Sequence, residues 1–225
     1  SDLFYWPFMR ARELVARGEL GDFQGMRIML STPTNYIISR KNHWAHRLPG
    51  GVIGETGPHA VYMTLAFINP IKEVDVHAVK IFDYPWSPFE DYRIELIGDR
   101  VISSVLLIHT TDQWVAQVDL FGSKGILMLD LEGLSIVKYR REDLSPYSVG
   151  LSQLDISFQL LKNTLFNSAR FLFRRFESTH DVLISQFIES LRKGVNPPVT
   201  AEEGREAVRV VNMIIDRLRE KYNKS

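Results

Sequence analysis

The chain has 225 residues, 45% hydrophobic and 24% charged, with 27 basic residues against 27 acidic ones and no cysteine. Zero net charge leaves no electrostatic footprint for nucleic acid or an anionic membrane. The lack of cysteine excludes disulfides, thiolate chemistry and Cys-ligated metals, and fits a reducing, cytoplasmic setting. No apolar run approaches the roughly 20 residues that span a bilayer, and the length suffices for a sizeable core.

In chain order, residues 7–20 read as a helix with Phe8, Ala11, Leu14 and Val15 on one side and Gly21 as its stop. A strand follows, with Met26, Ile28 and Leu30 in alternation. Residues 31–57 are irregular and polar, and loops of that length are usually functional. Pro58 reads as a first helical residue, and the helix runs to Ile68 before Asn69-Pro70 ends it.

From residue 71 the pattern changes to period two. Segments 73–82, 91–97, 101–109, 113–121, 125–131 and 134–139 are rich in β-branched and aromatic residues. Turn signals separate them at Pro85, Gly98-Asp99, Thr111-Asp112, Gly122 to Gly125 and Glu132-Gly133. Links this short imply antiparallel neighbours. Over 113–121, Trp114, Ala116, Val118 and Leu120 point one way, while Gln117 and Asp119 point the other. One face of such a sheet meets a core and the other meets solvent or a partner.

The last third reads as helices over 151–176, 179–193 and a final segment opened by the capping box Thr200-Ala-Glu-Glu203. Ala207, Val211, Ile214, Ile215, Leu218 and Tyr222 form its buried stripe. The stretch Phe158–Phe176 is dense in aromatics and leucines, interspersed with Lys162, Arg170, Arg174 and Arg175. A stripe of this kind packs on its own sheet or on a subunit partner more often than on a membrane surface. Together these elements predict a single α+β domain over residues 1–225. Its architecture is an open-faced, largely antiparallel sheet with helices packed on one face.

The candidate chemistry is concentrated between Trp44 and His59, which hold a Trp, two His, an Arg, a Glu and four Gly in sixteen residues. The glycines let a backbone approach a ligand closely. Nowhere do glycines fall as G-x-G-x-x-G or as a phosphate loop, so the chain has no dinucleotide fingerprint of its own. With a helix starting at Pro58, Glu55 falls in the preceding turn and His59 in the first turn. There the helix dipole favours a neutral imidazole suited to general acid–base work. Tyr62, three residues on, orients His59 or lines the pocket. The plainer alternative is a helix-start histidine bonded to nearby backbone. Arg47 and His46 are candidate contacts to an anionic or polyhydroxylated ligand, and Trp44 is either a stacking platform for a sugar or a buried anchor. His43, His46, Glu55 and His59 also compose a set of possible metal ligands without a familiar spacing. His77, His109 and His180 read as structural.

At these residues the chain resembles the C-terminal domain of the glucose–fructose oxidoreductase/inositol dehydrogenase/MocA family. Phe4 to Gly21, with "ARELVARGELGDFQGMRI", resembles the segment after that family's Glu-Lys-Pro motif. Trp44 and the Gly50-Gly51 turn match its Trp and Gly-rich turn, Glu55-x-x-x-His59 stands at its Asp-x-x-x-His motif, and "FIESLRKGVNPPVTAEEGREAVRVVNMI" is similar to its closing helices. Glu55 replaces the usual Asp, Val52 the third glycine, and Tyr62 a common second Asp; the resemblance does not map residues 140–178.

The resemblance implies a substrate-binding and oligomerisation domain of an NAD- or NADP-dependent oxidoreductase acting on a sugar or polyol. It gives His59 and Glu55 catalytic roles, and Trp44, His46, Arg47 and Tyr62 substrate contacts. It implies a Rossmann domain before Ser1 that holds the cofactor, inactivity of this chain alone, and a homodimer or tetramer through the sheet face. The rival classes are a metal-dependent hydrolase or isomerase built on His43, His46, Glu55 and His59, and a non-catalytic assembly module.

Overall fold

The computed structural model describes residues 2–173 and 178–222. Along the chain run α1 (Trp6–Ala16), β1 (Phe23–Ser31), α2 (Val52–Leu65), β2 (Glu73–Val79), β3 (Asp91–Ile97) and β4 (Ile102–Ile108). They are followed by β5 (Val115–Gly122), β6 (Gly125–Asp130), β7 (Ser135–Tyr139), α3 (Pro146–Leu172), α4 (Thr179–Lys193) and α5 (Ala201–Tyr222). The fold is α+β, and every strand pairing within the blocks below is antiparallel except one. No helix among the described residues is long and apolar enough to cross a membrane. The chain divides into two compact units, residues 25–116 with 201–225, and residues 1–24 with 117–200.

In the first of these units the strands lie in the order β2-β3-β4-β1. Val76 stands opposite Ile94, and Ile94 opposite Val105, in antiparallel ladders. Alternate residues of each strand are buried, as period-two patterning requires: Val74, Val76 and Ala78; Tyr92, Ile94 and Leu96; Val105 and Leu107. β1 joins β4 in parallel, with Ile28 beside Val105. The short 109–114 link led to the expectation of β5 as an antiparallel neighbour of β4. Instead β1, from far earlier in the chain, takes that edge; link length constrains where a strand can go but not which strand hydrogen-bonds there. α5 buries Val210, Ile214, Ile215 and Leu218. It is tied to β2 by Lys221, which donates to the Val76 carbonyl (3.0 Å), and by Tyr222, whose hydroxyl accepts from the Ala78 N–H (2.9 Å).

The largest correction concerns α2, which starts at Val52 rather than Pro58. Pro58 is its seventh residue and removes the bond that would end on the Gly54 carbonyl, a loss of about 3 kcal/mol. The added turns bury Val52 and Ile53 almost completely, each worth roughly 1.5–3 kcal/mol. Burial therefore wins over the local preference of proline.

In the second unit, β5, β6 and β7 form antiparallel pairs, with Leu120 opposite Leu127 and Met128 opposite Val137. α1 buries Phe8, Ala11 and Leu14 as expected but stops at Ala16; a turn with Gly18 at φ 70° leads on to buried Leu20. β5 begins after Trp114, and Val118, Asp119 and Leu120 are all buried, so its polar positions are not uniformly on an open face.

α3 starts earlier than expected, at Pro146, because the Ser145 hydroxyl accepts from the Ser148 N–H (3.2 Å) and caps it. Arg174, Arg175 and Phe176, read from sequence as its continuation, lie outside the described residues. α3 contacts β7 through its polar side. Gln159 bonds both the N–H (2.8 Å) and carbonyl (3.1 Å) of Lys138, Asn163 donates to the Ile136 carbonyl (2.9 Å) and Asn167 to that of Leu134 (2.7 Å). Amides at four-residue spacing thus satisfy the main chain of β7.

Candidate functional site

The loop before α2 is built rather than loose. His46 donates from Nε2 to the Ile37 carbonyl (3.2 Å), and its buried Nδ1 meets no partner among the described residues. Ile37, Ile38, Ala45 and Val52 form a small core against which Phe82 and Tyr84 pack. Trp86 stacks on Tyr84, with centroids 4.9 Å apart, and donates its indole N–H to the Ile38 carbonyl (2.9 Å). A short 3-10 helix, Trp44–Arg47, is capped by His43, whose Nδ1 accepts from the Ala45 N–H (3.3 Å).

Trp44 is 56% exposed, so it is not a buried anchor. It stacks against His43 (5.7 Å), which lies beside Tyr36 (6.3 Å), and Tyr36 in turn meets Trp114 edge-on (4.8 Å). Tyr36 and Trp114 are exposed as well. The sequence reading did not place either beside Trp44; an aromatic in a loop carries no periodicity to say whether it faces in or out. Arg47 is exposed and makes no side-chain hydrogen bond or ion pair among the described residues.

Gly50 and Gly51, at φ 80° and 66°, turn the chain into α2. A Cβ on Gly50 would lie 2.8 Å from both Ile53 and Ile215, so the turn needs glycine for space as well as for φ. With the helix starting at Val52, Glu55 occupies the first turn, where a carboxylate is favoured by about 0.3–1 kcal/mol. His59 lies one turn further in, so the helix terminus does not act on its imidazole as expected from a start at Pro58.

Glu55 and His59 thus share one helix at i, i+4 spacing, where a helix starting at Pro58 would have left Glu55 in the preceding turn. The Tyr62 hydroxyl lies 2.7 Å from His59 Nδ1. Glu55, His59 and Tyr62 are half-buried on one side of α2, opposite the fully buried Ile53, Ala60 and Val61.

The metal set considered from sequence is not assembled. Among the described residues no three His, Asp or Glu side chains gather to hold an ion. His43 and His46 are neighbours on the loop, with rings 6.4 Å apart, each spending a nitrogen on a main-chain group.

The remaining histidines are elsewhere. His109 is buried and donates from Nδ1 to the Glu90 carbonyl (2.6 Å); burial pushes its pKa below the ordinary 6.5. His77 is exposed beside Asp75 (3.2 Å). His180 lines a cavity of about 540 Å³ in the other unit with Tyr5, Glu132 and Arg170. There burial, then the nearby Glu132 and Asp2 charges, raise the Tyr5 pKa to about 12.

None of the curated proteins matches the sequence. Among solved structures, the WlbA dehydrogenase from Bordetella pertussis, determined with NADH and UDP-GlcNAcA, is 13% identical with a TM-score of 0.71; the match covers 98% of this chain and 61% of that one. A myo-inositol dehydrogenase from Corynebacterium glutamicum is 16% identical at a TM-score of 0.67, covering 96% and 60%. A levoglucosan dehydrogenase determined with NADH and levoglucosan is 11% identical at 0.68, covering 97% and 62%. The chain thus spans about three fifths of the length of these structures. The description of the GFO/IDH/MocA C-terminal domain matches residues 8–127, which include the loop, the glycine turn and all of α2. The chain belongs to the GFO/IDH/MocA C-terminal domain family.

Proposed function

We propose that this chain is the substrate-binding part of an NAD- or NADP-dependent oxidoreductase acting on a sugar, a polyol or a related hydroxyl compound. The observation that carries the reading is the imidazole–phenol pair of His59 and Tyr62, 2.7 Å apart on α2. With Nδ1–H donating to the Tyr62 oxygen, His59 Nε2 presents a lone pair to a substrate hydroxyl and takes its proton as the alcohol is oxidised. Tyr62 fixes the ring and supports the imidazolium. Glu55, one turn before, adds negative charge on the same side of the helix. Trp44 and Arg47 supply outer contacts, stacking and hydrogen-bonding a polyhydroxylated ligand, while His46 holds their loop.

The residues present fit the substrate end of the reaction, since the glycines form no dinucleotide fingerprint. A nicotinamide, when bound, supplies the hydride acceptor. In this reading a Rossmann domain accounts for the length by which the solved dehydrogenases exceed this chain, and the chain alone is inactive. The reading carries with it a cytoplasmic homo-oligomer assembled through the sheet face.

The test is turnover of sugars and polyols, with NAD and NADP, by the full-length protein and by its His59→Ala and Tyr62→Phe variants. His59→Ala is expected to lower kcat by about 10²–10⁴-fold. Tyr62→Phe is expected to lower it less and to shift the acidic limb of its pH profile. Undiminished turnover by His59→Ala removes the proposed base. A gene with no nucleotide-binding domain upstream removes the dehydrogenase reading itself.

A further inference from the structure

The polar side of α3 meets β7, and the apolar seam along its other side is largely exposed among the described residues. Leu151, Phe158, Leu165 and Leu172 repeat every seven residues, and Tyr147, Leu154 and Leu161 repeat in the gaps between them. The resulting 4-3-4-3 spacing is the seam of a coiled coil. The seam lies about half a turn of the helix away from Gln159, Asn163 and Asn167, which bind β7. Its seven large side chains range from 49% exposed (Leu151) to 77% exposed (Leu172), and α3 has no buried residue at all. A helix normally turns its apolar stripe inward. Here the amides are inward, where they satisfy an edge strand, and the stripe is outward.

We infer that α3 pairs with α3 of a second copy of this chain as an antiparallel two-helix coil about a two-fold axis. The charges select this occupant and this direction. Asp155 and Lys162 lie on one flank of the seam, seven residues apart and one of each sign, while the other flank carries Ser157 and Thr164. In an antiparallel pair the same flanks meet, so each Asp155 faces the partner helix's lysine on either side of the axis. In a parallel pair the charged flank would meet the uncharged one.

The seam is centred between residues 159 and 160, at the middle of α3, so the whole helix overlaps its copy. Each layer then sets one seam position against its complement: Tyr147 with Leu172, Leu154 with Leu165, and Phe158 with Leu161. Only the Leu151 layer meets a small residue, Ser168. The seven side chains of each copy, at roughly 100 Å² apiece, would bury on the order of 1,400 Å² in the pair, within the range of specific interfaces. This contact is distinct from an assembly through the sheet face and does not depend on the proposed enzymatic reading.

The test uses the full-length protein in a background free of other cysteines. Leu154→Cys and Leu165→Cys are oxidised separately and as an equimolar mixture; a disulfide dimer is expected from the mixture and little from either alone. Asp155→Lys and Lys162→Glu are each expected to raise the dimer Kd about tenfold, and their mixture to recover it as a heterodimer. That recovery separates pairing from any damage to the fold, because neither chain is repaired by mixing. Four results overturn the proposal. They are a monomer at micromolar concentration, a dimer indifferent to these changes (assembly through another face), Leu154→Cys linking to itself (a parallel pair), and a monomer that binds phosphatidylglycerol vesicles through the seam.

Discussion

α2 and α3 are both amphipathic, yet they use their two sides in opposite ways. α2 spends its apolar side on the core, burying Val52, Ile53, Ala60, Val61 and Met63, and leaves polar His59, Tyr62 and Glu55 half-exposed. α3 spends its polar side on the main chain of β7 and leaves its leucines and phenylalanines in water. The first arrangement fixes a chemical group on a rigid support. The second completes an edge strand and leaves an adhesive surface. Amphipathicity alone therefore does not say which side of a helix faces the protein; that depends on whether the surface it covers offers apolar side chains or unpaired backbone groups.

The contrast breaks most sharply by truncation. Ile53→Ala in α2 is expected to cost about 2–5 kcal/mol in urea unfolding, since it removes buried atoms and leaves a cavity. Leu161→Ala in α3, measured at concentrations where the chain is monomeric, is expected to change stability by less than about 0.5 kcal/mol. A comparable loss for both would mean that the α3 seam is already buried within one chain.

The inward side of α3 gives a smaller effect. Asn163→Ala leaves the Ile136 carbonyl without its partner and is expected to cost about 1 kcal/mol. An unchanged unfolding midpoint would show that water replaces the amide and that the ladder is ornamental.

Acid sharpens the comparison further. α3 contains no histidine, whereas the unit that holds α2 carries the buried His109, just past the end of β4, with a lowered pKa. Below pH 6.5 the unfolded chain takes up a proton on His109 that the folded chain does not. Stability is thus expected to fall as pH drops from about 6.5 to the lowered folded value, and to lose nothing more to this group below it. His109→Asn should flatten that part of the curve, as read from urea midpoints between pH 5 and 7.5. A slope unchanged in the variant would assign it to another group.

Much of this was legible in the residues. The period-two runs located β2 to β7 to within a few residues, and α4 was read over its observed span, because Ser178 and Gly194 are local signals for its ends. The Gly50-Gly51 turn was legible because positive φ has a strong residue preference. Glu55, His59 and Tyr62 were singled out from spacing, but their shared helix was lost to Pro58, a local rule that distant burial overrode. Tyr36 and Trp114 were not joined to Trp44, because nothing in a sequence separation of that size reports proximity.

What the sequence by itself determined is whatever depends on neighbours within a turn or two: element type, caps, the glycine turn, the close spacing of Glu55, His59 and Tyr62, and the seven-residue apolar spacing along α3. Tertiary structure alone decided where α2 begins, that β1 lies parallel beside β4, and that α3 turns its amides inward. Each of these is settled by hydrogen bonds and buried surface between residues far apart in the chain. Such long-range terms, at a few kcal/mol each, are as large as the local preferences they overrule.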